Sequence, residues 1–127
     1  PDNFMLVISY NPGYQHILKD IKPSTRQRFA ALEFDYPPEG LEVDIVAGES
    51  GLDRAAAARL VSAARKIRAL TDSGLESPPG TRLLVHAATL MRNGLPVRAA
   101  CEAAIVSPLT DDAELHRAMM DIIEAVF

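Results

Sequence analysis

Three places in this sequence carry side chains suited to phosphate chemistry. Asn11 follows directly on the apolar run FMLVISY at residues 4–10, and Pro12-Gly13 comes next. A carboxamide outside the carboxyl end of a parallel strand can donate to and accept from a phosphate or an attacking water. Asn-Pro is also a common turn dipeptide, and taken alone the spacing favours a turn. The second place is Lys22-Pro23-Ser24-Thr25-Arg26-Gln27-Arg28-Phe29, where two arginines leave a helical pattern. A guanidinium is planar and always charged, so its fork matches a phosphate edge, although the usual fate of such a cluster is a solvated basic face. The third is Gly80-Thr81-Arg82, an arginine in the first turn of a helical pattern. A cation there opposes the helix macrodipole and costs about 0.3–1 kcal/mol, so it mildly suggests an anionic partner.

Other chemistry is thinly represented. No phosphate-loop motif G-x-x-x-x-G-K-[ST] occurs, nor G-x-G-x-x-G, H-E-x-x-H or G-x-S-x-G. His16, His86 and His116 lie far apart without metal-ligand spacing, and each reads as a surface or packing residue. Cys101 stands among alanines and reads as a small buried hydrophobe. A lone cysteine excludes an intrachain disulfide and a multi-thiolate zinc site, so no metal site is expected.

The elements that must position these residues follow from periodicity and punctuation. Residues 4–10 read as a buried strand, Asp20 to Leu32 as a short helix with Pro23 in its first turn, and residues 32–36 as a second strand stopped by Pro37-Pro38. From Gly40 onward the chain turns Ala-rich and helical. Glu42 to Glu49 reads as a helix ended by Ser50-Gly51. Asp53 caps a long helix to about Leu70 with Ala57, Leu60, Val61, Ala64 and Ile67 as its apolar stripe. Thr71 to Gly80 is the main flexible loop. Thr81 caps a helix that ends at Asn93-Gly94, and Pro96 starts another that ends before Pro108. Asp111 and Glu114 form a capping box for the last helix, whose inward side carries Leu115, Met119, Ile122, Ile123 and Val126. There is no internal repeat.

The fold class expected is therefore an α/β fragment followed by a helical bundle, mostly α overall, with residues 1–40 and 41–127 as its two parts. At 127 residues, 48% hydrophobic and 24% charged, the composition is that of an ordinary globular chain. A net charge of −4 argues against broad electrostatic binding of nucleic acid. No apolar run approaches the roughly 20 residues that span a bilayer, and no basic segment precedes residues 4–10, so the expected location is cytoplasmic. Position 1 is Pro, not Met, and Pro1-Asp2-Asn3 runs straight into apolar residues. The expectation is a chain cut from something longer.

The segments VISYNPGYQ (7–15), LKDIKPSTRQRF (18–29), PPGTRLLVHAATL (78–90) and RAACEAAIVSPLTDD (98–112), in this order, resemble the C-terminal part of an AAA+ ATPase of the CbbQ/NorQ/NirQ group within the MoxR branch. The resemblance covers most of the chain, and KPSTRQRF followed by FDYP is its most specific part. It implies the last strands of a P-loop core followed by a helical lid, in a homo-oligomeric ring, expected to be hexameric, with ATP and Mg²⁺ at subunit interfaces. By that resemblance Asn11 is the sensor-1 residue that positions the attacking water. Arg28 is the arginine finger offered to the neighbouring subunit, with Arg26 as second candidate. Arg82 is the sensor-2 arginine that binds nucleotide within its own subunit. The resemblance further implies a von Willebrand-type partner protein and a client enzyme, Rubisco or nitric oxide reductase.

The phosphate loop and the Mg²⁺-holding acidic pair are not among these 127 residues, so the chain alone is expected neither to hydrolyse ATP nor to bind it tightly. A second reading is a non-enzymatic helical adapter whose arginines serve protein contacts. A helix-turn-helix DNA reader over residues 81–106 is weak, because the recognition-helix candidate Val97–Val106 carries only Arg98 against Glu102.

Overall fold

Pro37-Pro38 holds the backbone extended, and the first long helix starts immediately after it. In the computed structural model, which describes residues 3–9, 22–70, 75 and 77–127, the chain divides between Phe34 and Asp35 into two units. The first unit contains α1 (Pro23–Arg26), a single turn with Pro23 at its start. The second contains α2 (Glu39–Ser50), α3 (Arg54–Arg68), α4 (Thr81–Arg92), α5 (Val97–Cys101), a π-helical turn (Glu102–Val106), α6 (Ser107–Leu109) and α7 (Ala113–Val126).

The described residues are all helical or irregular, and none forms a strand. This corrects the expected α/β fragment. Residues 4–9 adopt no regular structure, with Phe4, Met5 and Val7 each more than 70% exposed, and residues 30–36 are irregular with Leu32 and Phe34 largely exposed. The reason is that apolar alternation reports a tendency to be covered, whereas a strand exists only through a neighbour that takes up its N–H and C=O groups. No described segment lies in a ladder beside either run. The helix expected from Asp20 to Leu32 is also shorter. Within the described residues it spans Pro23–Arg26, and Gln27 and Arg28 already turn away from it.

The second unit follows its apolar stripes closely. Ala57, Leu60, Val61, Ala64 and Ile67 of α3 are all buried, as are Val43 and Val46 of α2 and Leu84 and Ala87 of α4. Helix α2 packs on both α3 and α4, and α7 packs on α3. The π turn lies against α4 and α7. Ile105 and Val106 from the π turn and Met119 and Ile123 from α7 complete one continuous core. Cys101 is fully buried, and burial pushes its thiol up to about 11, so it behaves as the inert hydrophobe its neighbours suggest. Of the stretch expected to be a flexible loop, the described residues Leu75 and Pro79 are both buried.

Punctuation is obeyed at some ends and shifted at others. Asp53 caps α3 through hydrogen bonds from the Ala55 and Ala56 amides, at 3.0 and 3.2 Å. Gly51 closes α2 at φ +70°, a left-handed conformation that suits glycine. Pro108 does not stop the helix before it. It has no N–H for the Ala104 carbonyl, and the chain widens into the π turn and continues to Leu109. The cap of α7 is Asp112, whose Oδ1 accepts from the Glu114 and Leu115 amides at 2.9 and 2.8 Å. Asp111, read as the cap from the box spacing, sits one residue too early. Asp112→Ala is therefore expected to destabilise the chain by about 1 kcal/mol, while Asp111→Ala is nearly neutral. Equilibrium urea unfolding of the two variants decides it, and equal effects would reject the cap assignment.

Candidate functional site

The second unit carries a buried polar cluster at the entrance to α4. Arg68, the last residue of α3, places its guanidinium edge on Glu42 of α2. Nη1 donates to Oε2 at 2.9 Å, and Nη2 donates to Oε1 at 2.7 Å. Its Nε donates to the Pro79 carbonyl at 2.9 Å, and its face lies 3.7 Å from the centroid of the Tyr36 ring. The Thr81 hydroxyl donates to Glu42 Oε1 at 2.8 Å. Glu42 is fully buried and the Arg68 side chain is 9% exposed.

Each charge stands where its helix favours it, the carboxylate in the first turn of α2 and the guanidinium at the end of α3. Burial alone would raise the Glu42 pKa. The hydrogen bonds from Arg68 and Thr81, with the positive charges of Arg68 and Arg65, outweigh it and hold the carboxyl below its ordinary value. The carboxylate therefore stays ionised in the interior. Among the described residues no buried side-chain polar atom lacks a hydrogen-bond partner.

Sequence reading misses this cluster, yet a signal is present. Glu42 falls on the same face as Val43 and Val46, at positions i, i+1 and i+4, where an unpaired carboxylate would be expensive. A charge inside an apolar stripe calls for a buried partner of opposite sign. Nothing in the local pattern says that the partner lies 26 residues away.

Of the residues singled out by sequence, Arg82 is the best defined. It is the second residue of α4 and is exposed, and its side chain engages no described residue. The N-cap of α4 is Gly80, which supplies no side-chain cap, and the Thr81 hydroxyl expected to cap the helix is turned onto Glu42 instead. Among the described residues, the start of α4 thus presents a helix end without a side-chain cap and a cation, Arg82, without a partner. Arg28 lies in the turn after α1 with its amide donating to the Thr25 carbonyl at 3.1 Å, and its side chain is exposed. Arg26 is the last residue of α1. Asn11 and His16 lie outside the described residues. Arg28 belongs to the first unit and Arg82 to the second.

Away from this cluster an open groove of about 710 Å³ runs beside α7, lined by Arg98, Ser107, His116, Arg117, Asp121 and Glu124 among others. Arg98 is ion-paired with Glu124, and His116 Nε2 lies 3.5 Å from Glu102 Oε1. The one cation of the recognition-helix candidate Val97–Val106, Arg98, is therefore already matched by a carboxylate. Among the described residues there is no cluster of three metal-ligating side chains, and no helix is long and apolar enough to cross a membrane.

Residues 42–126 match the family described as CbbQ/NirQ/NorQ C-terminal. The chain belongs to the CbbQ/NirQ/NorQ family. It is 57% identical over 124 residues to Protein NorQ of Paracoccus denitrificans, an alignment covering 98% of this chain and 46% of that protein. It is 48% identical over 127 residues to the Denitrification regulatory protein NirQ of Stutzerimonas stutzeri, covering 100% of this chain and 46% of that one. Protein CbbQ of Hydrogenophilus thermoluteolus is 49% identical over 127 residues, covering 100% of this chain and 47% of that protein. The chain thus spans about half the length of the curated relatives it matches. The family match includes the entire Glu42–Arg68–Thr81 cluster and Arg82, whereas Asn11, Arg26 and Arg28 lie in the part covered by the whole-chain relatives alone.

Proposed function

We propose that this chain is the sensor, finger and lid portion of an AAA+ ATPase that couples ATP hydrolysis to the activation of a client enzyme. The observation that supports this most strongly is the likeness to NorQ, NirQ and CbbQ proteins over nearly the whole chain. The name of NirQ, a denitrification regulatory protein, supports a regulatory role, and the client on this reading is an enzyme of the nitric oxide reductase or Rubisco type. The working assembly on this reading is a homo-oligomeric ring, a hexamer, acting in the cytoplasm with a von Willebrand-type partner.

The chemistry asked of these residues is placement of charge. ATP with Mg²⁺ supplies a γ-phosphate that spreads negative charge as it transfers, and catalysis of that step is mostly positioning and electrostatics. Arg82 fits the phosphate edge within its own subunit: an exposed guanidinium at a helix N-terminus without a side-chain cap, where the anion offsets the dipole that the cation opposes. Arg28, or Arg26, reaches the nucleotide of the neighbouring subunit. Asn11 holds the attacking water. The residues that cradle the β- and γ-phosphates and hold the metal are contributed by sequence other than these 127 residues.

Isothermal calorimetry of the 127-residue chain, run beside phosphate release by the full-length protein, tests this division of labour. The chain alone is expected to show no saturable micromolar ATP binding, and the full-length protein is expected to turn ATP over. Tight binding by the chain alone would overturn the division. Absence of turnover in the full-length protein would favour the helical adapter.

A further inference from the structure

We infer that Glu42, Arg68 and Tyr36 are positioning residues for Arg82, which fix the entrance of α4 and so the backbone position from which its second residue projects. The inference rests on the reading of Arg82 as a phosphate-sensing residue. It concerns what holds that residue in place.

At this entrance the Gly80 carbonyl accepts from the Leu83 amide at 3.0 Å, and no side chain caps the helix. Gly80 is the N-cap and has no side chain. Both of its neighbours are pinned to the same ion pair, Pro79 through its carbonyl to Arg68 Nε and Thr81 through its hydroxyl to Glu42 Oε1. The backbone position from which Arg82 projects is therefore set by where that ion pair stands. The pair in turn is held by its bidentate fork, by the ends of α2 and α3 on which it sits, and by the Tyr36 ring on the guanidinium face. Tyr36 lies two residues inside the second unit, next to the point in the chain where the units divide. One guanidinium thus ties the start of the unit to the start of α4, 45 residues apart in number and adjacent in space.

A buried ion pair is a poor device for stability, because well-packed apolar residues of similar volume often do as well or better. What it supplies is directional constraint. An apolar replacement would keep α2 and α3 packed, release Pro79 and Thr81, and loosen the start of α4. This separates positioning from a merely structural role.

The test uses the full-length protein and the double variant Glu42→Leu/Arg68→Met, alone and combined with Arg82→Ala. The double variant is expected to keep its melting temperature within a few degrees. Its amides at residues 80–84 are expected to exchange with deuterium about tenfold faster, consistent with a loosened helix start. The KM for ATP is expected to rise several-fold in the double variant and in Arg82→Ala alone. Because the network acts through Arg82, the triple variant is expected to show no further rise. An equal rise in the presence and absence of Arg82 overturns the inference, as does an unchanged KM in the double variant when Arg82→Ala raises it. If Arg82→Ala itself leaves KM unchanged, the sensing role fails, and exchange at residues 80–84 then judges the positioning alone: unchanged exchange overturns it. Should the double variant not fold, Tyr36→Leu removes only the ring under the guanidinium, and Tyr36→Phe restores it. Faster exchange at 80–84 in Tyr36→Leu but not in Tyr36→Phe supports the network, and equal exchange in both overturns it.

Discussion

Arg28→Ala in the full-length protein is expected to lower ATP turnover by about 10³–10⁵-fold while leaving ATP affinity close to that of the parent. The split between the two readouts follows from where a finger acts. A guanidinium delivered from a neighbouring subunit meets charge that builds up on the γ-phosphate only as it transfers, so its removal raises the barrier without weakening ground-state binding. The same substitution is structurally mild. Arg28 is exposed in the turn after α1, and its described contact there is a backbone amide donating to Thr25, which alanine keeps. An exposed substitution of this kind shifts stability by no more than about 0.5 kcal/mol, so lost turnover cannot be put down to unfolding. Arg26→Ala is the internal comparison. If Arg26→Ala abolishes turnover and Arg28→Ala does not, the finger is Arg26. If neither changes turnover, both arginines serve some other contact, and the adapter reading gains.

The helices of the second unit were legible because each carries its own evidence: an apolar stripe at a period of 3.6 and a terminal residue with a stated job. Leu60, Ala64 and Ile67 point inward because the spacing leaves them no other face. Caps are less secure, since Asp111 and Asp112 both precede the same helix and only the geometry picks the second. The two strands were misread for a different reason. FMLVISY states that a segment prefers to be covered, but a strand is a property of a pair, and composition does not say what lies alongside. The Glu42–Arg68 pair was missed for the same reason turned around, because its partners lie on different helices. Helix content is local information, whereas strand pairing and buried ion pairs are not. Arg82 is legible in the sequence because its oddity, a cation in a first turn, is also local.

Glu42→Ala is expected to destabilise the chain by about 3–5 kcal/mol, against roughly zero or a gain for Glu42→Leu/Arg68→Met. The asymmetry comes from what is left behind. Truncating Glu42 takes a bidentate carboxylate from a guanidinium whose side chain is only 9% exposed, and it leaves the Thr81 hydroxyl without the acceptor it now uses. The Pro79 carbonyl and the Tyr36 ring are among the contacts that Arg68 keeps, and neither replaces the bidentate carboxylate. For a unit of this size a loss of that order lowers the melting temperature by more than about 10 °C. The pH dependence has a definite sign. Because the folded state holds the Glu42 pKa below its ordinary 4.5, the stability it contributes is fully present above that value and is lost as pH falls through the depressed one. Denaturant unfolding of parent and Glu42→Gln from pH 7 down to pH 3 reads this out: the difference between the two shrinks toward the acid end. A difference that stayed constant with pH would mean that the charge on Glu42 contributes nothing and that its shape alone matters. The Arg68 fork would then be an ornament of the packing, and the backbone position from which Arg82 projects would have to be set by something other than the ion pair.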